Sequence, residues 1–520
     1  MHLTGAPDLE WGVMNSSSHP ISRRTVLSAG AGTAGLLVTT STVGATSAVA
    51  AGIPWPKLRK SLVGTLYQPS TSAYAQVAHG TNPRYDGINP KAVARCVSTG
   101  DVAACIAFAR RYAVPFTVRS GGHAASGWST GTGLVIDTTL MNAITIDGAA
   151  RTATIGAGAR LIDVHRATTD QSLALPTGTC PDVGISGLTM GGGIGPMTRL
   201  WGLTCDRLVA ATVVTADGKS QLVNPTRFAG LYFALRGGGG GSFGVLTSLT
   251  MSLDTMPAAI DSYSLSYPFS ATPSVLKGFQ SIVATADRRF GVEVQFRAVR
   301  SSGKINVTVR GDWAGPQSDV AAQVDALVTA IGVAPTTRSI LHQSFVSSVL
   351  DHAGCGSFGS CVPGADITRV PGSATSSMVS TPLTDAGIAV FMQQLRNGLT
   401  VPGQTYTGAT LDGMRGAVSD TTTSDSAFAH RDALFMVHYL ARWSPNTPAL
   451  DPRPFDQYVS GFRNAMTPYV GPSAYVNYQD PLIADYGNAY WPGTFDRLRA
   501  VKTNVDPTDL FHFAQSVPPA

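Results

Sequence analysis

Charge is scarce in this chain: Asp, Glu, Lys and Arg together make up 13% of its 520 residues, and the formal net charge is only +5. The cations form no block that could track a phosphate backbone, which argues against a nucleic-acid partner. Metal-ligand clusters are missing as well. His430 and His438 stand eight apart, and no His, Asp and Glu set has zinc or iron spacing. After the N-terminal segment there is no long apolar run of the kind that crosses a bilayer. Internal repeats are absent too, as are low-complexity stretches outside that segment.

What the chain does have is apolar residues and glycine. At 43% apolar, it is long enough to build two sizeable cores and reads as a soluble globular protein. Its 56 glycines concentrate at 191–193 and 237–241, in clusters that resemble tight phosphate-binding loops more than flexible linkers.

Residues 1–51 read as a targeting segment. Ser22-Arg23-Arg24 opens a twin-arginine pattern, a weakly apolar Gly/Ala/Thr stretch follows, and Ala48-Val49-Ala50 offers a cleavage site. The expectation is twin-arginine export to an extracellular or periplasmic-type compartment, with no membrane anchor after removal. A basic tail or an anchor is the alternative, but large apolar residues are too few for a convincing spanning helix. Six cysteines lie at 96, 105, 180, 205, 355 and 361. Cys355 and Cys361 are spaced to close a small loop in an exported protein, although sequence leaves the connectivity open.

Along the rest of the chain, Thr99-Gly100-Asp101 precedes helical apolar spacing to Tyr112, and residues 161–171 read as an amphipathic helix. Short β-like runs occur at 116–119, 134–137, 143–146, 152–155, 208–215 and 245–253, with a hairpin signal at 216–219. This α+β pattern lacks the Rossmann βαβ period, so Gly191 to Gly195 is not a nicotinamide fingerprint. From about residue 257 the glycine clusters stop. Alternating runs at 262–267, 291–299 and 304–313 then accompany helical candidates at 275–287 and 319–331. The expected organisation is a domain over 60–256, a second domain of one sheet with helices on one face over 257–454, and a return to the first domain over 455–520.

The most informative residues are Arg119-Ser120-Gly121-Gly122-His123 and the later Cys180 in Thr179-Cys180-Pro181-Asp182-Val183-Gly184. A glycine pair after an extended run lets backbone N–H groups approach a diphosphate closely, and Arg119 and Ser120 would add donors there. Imidazole and thiol are both nucleophiles that a flavin ring can alkylate. Alone, His123 reads as a structural histidine and Cys180 as a buried thiol or half a disulfide; it is the pairing that carries information.

These segments resemble the berberine-bridge-enzyme-like branch of the FAD-linked oxidases, which have the PCMH or vanillyl-alcohol-oxidase fold. The likeness continues in order through Met190 to Gly195, Arg199 to Leu203, Val213 to Gly218 and Leu235 to Val245. It resumes at Tyr475 to Asp480, Phe495 to Lys502 and Val505 to Phe511. One departure is Ser186-Gly187-Leu188, where the family often has Gly-Gly-His.

The resemblance implies a two-domain PCMH-type FAD-binding fold with a second, sheet-plus-helices substrate domain. It also implies FAD attached through His123 at the 8α-methyl and through Cys180 at C6. Arg119, Ser120, Gly121, Gly122, Val183, Gly184, Ser186, Gly187, Gly192, Gly193, Gly195, Val245 and Asn477 are then expected around the cofactor. Val183 takes the position of the family's oxygen gate, where a compact residue goes with oxidase behaviour. Tyr478 is expected as the catalytic base, with Tyr475 either catalytic or stacked in the interface. A phenol titrates near 10, so a base role calls for a cation or donor whose identity sequence does not give.

The expected reaction is hydride transfer from an alcohol carbon to flavin, with O2 reduced to H2O2. The expected substrate is a sugar or a glycosylated or hydroxylated metabolite. The rivals are a dehydrogenase using another acceptor, an oxidative cyclase, and a flavin-binding protein without turnover.

Overall fold

A computed structural model describes residues 52–362, 367–446 and 450–520. The twin-arginine segment lies outside the described residues.

The chain begins with a small sheet of four strands: β1 (Thr65–Tyr67), β2 (Ala92–Arg95), β3 (Phe116–Arg119) and β4 (Leu134–Asp137). They lie in the order β1-β2-β4-β3, and β2 and β3 both pair parallel to β4. Parallel strands need a crossover, and the helix Thr99–Tyr112 supplies it between β2 and β3. The Ser98 side chain caps that helix by accepting from the Asp101 N–H, so it starts three residues earlier than apolar spacing alone suggests.

Next come β5 (Ile144–Asp147), β6 (Thr152–Gly156), the short β7 (Leu173–Ala174), β8 (Leu208–Val214), β9 (Ser220–Val223), β10 (Val245–Ser252) and the short β11 (Asp254–Thr255). Five of them form an antiparallel sheet in the order β5-β6-β10-β8-β9, and β7 pairs with β11. The expected hairpin at 216–219 joins β8 to β9.

A seven-stranded antiparallel sheet follows, built wholly from residues 259–443. Its strands are β12 (Ala259–Tyr267), β13 (Glu293–Val299), β14 (Lys304–Trp313), β15 (Thr337–Ser344), β16 (Gly372–Val379), β17 (Gln404–Gly413) and β18 (Phe435–Trp443), in the order β15-β12-β14-β13-β17-β18-β16. Successive side chains point to opposite faces of a strand. One face therefore carries Val294, Phe296, Val309, Leu411 and Val437 into a core with the helices Thr272–Thr285, Val320–Ile331, Asp385–Gly398 and Arg453–Val470. Burying each such side chain contributes about 1.5–3 kcal/mol. The other face carries the polar members of the same strands.

The C-terminal segment returns to the first sheets. The helix Phe495–Val505 delivers Lys502, fully buried, to the glycine loop before β10. Its ammonium donates to the carbonyls of Ser242 (2.8 Å) and Phe511 (2.7 Å) and to Asp506 (2.7 Å), with Asp509 at 3.0 Å. A buried charge persists only when it is paired and hydrogen-bonded in this way. Cys355 and Cys361 form a disulfide, whereas Cys96, Cys105 and Cys205 are free and buried.

Candidate functional site

A cavity of about 1360 Å³ runs between the first sheets and the polar face of the seven-stranded sheet. That exceeds the roughly 300–1,000 Å³ of an ordinary small-molecule site and leaves room for a dinucleotide with a substrate.

Its floor is made of backbone. The loop after β3 and the loop after Cys180 pack directly on each other. A Cβ on Gly121 would overlap the Gly184 amide and crowd the Asp182 carbonyl, and a Cβ on Gly184 would overlap Ser120 and the Gly121 amide. Glycine is required at both positions by this approach. Gly122 is required by its backbone, which has φ +77°. The second loop is anchored in turn, because Ile162 N–H donates to Pro181 O and Leu161 N–H to Val183 O, both at 3.0 Å. His123, Cys180, Val183, Gly184, Ser186, Gly187 and Gly195 all line the cavity.

Cys180 is the exposed free cysteine. Burial within the cavity and the nearby Asp182 push its thiol up, while Arg442 pulls the other way. His123 Nε2 lies 2.9 Å from Asp182 Oδ1. Burial pushes the Asp182 carboxyl up, but the hydrogen bond and charge of His123 outweigh it, and the net shift is downward.

Several residues expected around the cofactor are also engaged by their own chain. Arg119 is 4% exposed, and its guanidinium donates to the carbonyls of Ser129 (3.0 Å), Val77 (2.6 Å), Ala78 (2.9 Å) and His79 (3.4 Å). It organises the neighbouring loop, and its donors are committed there instead of to a diphosphate. Ser120 and Ser186 both donate at 2.7 Å to the single carbonyl of Ala157. Val245 points into the core beneath the small sheet, and its neighbours Gly244 and Leu246 reach the cavity instead. Gly192 and Gly193 lie behind the lining. Gly192 packs against Phe428 and Tyr475, and the Gly193 N–H donates to the Tyr475 hydroxyl at 2.8 Å.

Tyr475 borders the cavity from a buried position. It is 2% exposed, and its hydroxyl also accepts from Asn477 Nδ2 at 2.9 Å. Asn477 donates as well to Leu188 O (3.1 Å), so the pair holds the glycine loop in place.

The ceiling is made of side chains. Tyr478 borders the cavity, and among the described residues none hydrogen-bonds its hydroxyl. Its ring stands edge-on to Tyr475 and lies flat on His438, with centroids 3.9 Å apart and planes 10° from parallel. Burial and then Arg442 lower His438 to about 3, so this imidazole is neutral, and its buried Nε2 has no protein partner.

Strand register sets Arg310 beside Glu293 and Glu293 beside Asp412. Glu293 accepts from Arg310 Nε at 2.9 Å and from Gln295 Nε2 at 2.6 Å. Burial, and then the charge of Glu293, raise Asp412 well above the carboxylate range, which favours its protonated form. Tyr478 is likewise raised, chiefly by burial. The cation expected to stabilise a phenolate is therefore replaced by a carboxyl pair.

Asp182, Glu293, Arg310, Asp412 and His438 are the site residues that sequence reasoning missed. Asp182 sat inside a quoted motif. The others signalled themselves only as polar members of alternating strands.

Comparison with known proteins assigns residues 90–223 to a family described as "FAD binding domain" and residues 474–518 to one described as "Berberine and berberine like". The uncharacterised FAD-linked oxidoreductase YgaK of Bacillus subtilis is 29% identical, over 83% of this chain and 91% of its own. The structure of BBE-like 1 from Physcomitrella patens superposes with a TM-score of 0.81 at 24% identity, over 89% of this chain and 99% of that one. A glucooligosaccharide oxidase from Acremonium strictum, whose structure is described as revealing a novel flavinylation, has a TM-score of 0.80 at 25% identity. That match covers 88% of this chain and 96% of that one.

Proposed function

We infer that this chain is an FAD-linked oxidoreductase of the berberine-bridge-enzyme-like kind. From that premise we propose that it oxidises an alcohol carbon of a carbohydrate or hydroxylated natural product while holding FAD through both His123 and Cys180. One observation carries the reading: the two nucleophiles line one cavity that Tyr478 also borders, and among the described residues none hydrogen-bonds the Tyr478 hydroxyl. The likeness to a glucooligosaccharide oxidase supports the carbohydrate class.

Bound there, FAD supplies the hydride acceptor, and dioxygen takes the electrons on as hydrogen peroxide. Two tethers fix the ring without enclosing it, which leaves one face open to a bulky substrate. The glycine amides at 121 and 122 suit a diphosphate, since no side chain stands between backbone and ligand. Val183, compact and in the floor, leaves space for oxygen.

Tyr478 accepts the proton of the substrate hydroxyl. Held as a phenol at rest, it must give up its own proton before it does so, and burial sets the cost of that step. His438 Nε2 and the free donors of Arg310 are polar groups able to orient neighbouring sugar hydroxyls. Export of the chain through residues 1–51 belongs to the same proposal, and N-terminal sequencing of protein from outside the producing cells tests it.

The principal experiment is acid precipitation of the purified yellow protein with mass mapping of its peptides. It is followed by anaerobic addition of oligosaccharides and glycosylated metabolites and then readmission of air. Flavin on both the His123 and Cys180 peptides, bleaching by a sugar, and peroxide release in air are expected. Flavin that no alcohol bleaches would overturn the oxidase reading, and slow recovery in air would assign a different electron acceptor.

A further inference from the structure

His123 and Asp182 meet on a rigid base. Asp182 lies between Pro181 and Val183, whose carbonyls are both bound by the start of the helix Leu161–Thr169, and Gly121 packs against its own carbonyl. The carboxylate is 11% exposed and the imidazole 28%. Nε2 is buried, and Oδ1 lies 2.9 Å from it in a bent approach. Among the described residues no other acid contacts this ring. A carboxylate at one imidazole nitrogen fixes the tautomer, placing the hydrogen on that nitrogen and the lone pair on the other.

We propose that Asp182 is the residue that makes His123 the flavin attachment point. It holds the hydrogen on Nε2, leaves the Nδ1 lone pair to attack the 8α-methyl carbon of FAD, and takes the Nε2 proton once Nδ1 is alkylated. The chemistry balances. One methyl C–H bond breaks and one C–N bond forms; the methyl hydrogen and the imidazole hydrogen leave as protons. The two electrons enter the flavin and pass to dioxygen, which departs with both protons as hydrogen peroxide. Asp182 stays ionised for this role because His123 holds its carboxyl below the ordinary value even against burial. The inference rests on the reading that His123 carries flavin.

The test uses a Cys180→Ala background, in which His123 is the only tether. Protein with and without Asp182→Asn is incubated with FAD in air, precipitated with acid at intervals, and scored for flavin mass on the His123 peptide. Asp182→Asn is expected to bind FAD yet attach it about 100-fold more slowly, with Asp182→Glu restoring most of the rate and one peroxide released per bond formed. Attachment at the parental rate in Asp182→Asn would overturn the role of Asp182 alone. A bare His123 in the Cys180→Ala parent would bring down the attachment reading itself. Failure of both Asp182→Asn and Asp182→Glu to bind FAD at all would make Asp182 a structural residue and end the proposal.

Discussion

The two walls of the cavity are built from different materials. The floor is backbone: Gly121, Gly122 and Gly184 bring two loops into contact, and the side chains around them are either engaged by their own chain, as with Arg119, or line the cavity as nucleophiles, as with His123 and Cys180. The ceiling is side chain: Arg310, Glu293, Asp412, His438 and Tyr478 stand on separate strands and loops and meet through register and stacking. A wall of backbone can hold a fixed, invariant group. A wall of exchangeable side chains can change its substrate while the floor stays the same.

Substitutions should separate the walls. The largest effect expected is from the ceiling. Tyr478→Phe lowers turnover by about 10²–10⁴-fold while flavin content, read from absorbance, stays at the parental level. Lys502→Met attacks the floor from behind. By leaving Asp506 buried without its partner it costs about 3–5 kcal/mol, read in denaturant unfolding, with flavin lost alongside.

Gly184→Ala overlaps Ser120 and the Gly121 backbone, costs about 1–3 kcal/mol and strips covalent flavin. Its signature is thus opposite to that of Tyr478→Phe. The smallest effect is that of Asp412→Asn in flavin-free protein. Asp412 is raised in the folded state, so it binds more protons there than when unfolded, and its contribution to stability falls as pH rises past the unfolded value near 3.8. Removing the carboxyl therefore raises the melting temperature at neutral pH, and the gain vanishes in acid. Equal pH dependence of the two proteins would show that Asp412 does not hold its proton.

The same contrast explains what was legible in sequence. Close backbone approach demands glycine at fixed positions, and nucleophiles beside it leave a local string, so the floor is readable from short segments. The strands at 116–119, 134–137, 152–156 and 304–313 are readable too, through alternation and bounded apolar runs. The ceiling is not local. Glu293 and Asp412 become neighbours only through the pairing of β13 with β17, and β15 to β18 were not read as strands at all.

Within the floor, several residues whose type fits a ligand are engaged by their own chain. Arg119 is held by four carbonyls, Tyr475 by Gly193 and Asn477, and Val245 by the core.

The Lys502 junction also fixes a time order. Ser242, at the glycine loop, receives its partner only from the far end of the chain, as does Val517, whose N–H donates to the Ser242 hydroxyl at 3.1 Å. At roughly 5–20 residues per second of synthesis, the ribosome completes the glycine loop some tens of seconds before it supplies the segment that closes it. During that interval the nascent chain carries both nucleophiles beside an open floor. Stable capture of the cofactor is therefore a late event, belonging to the finished polypeptide.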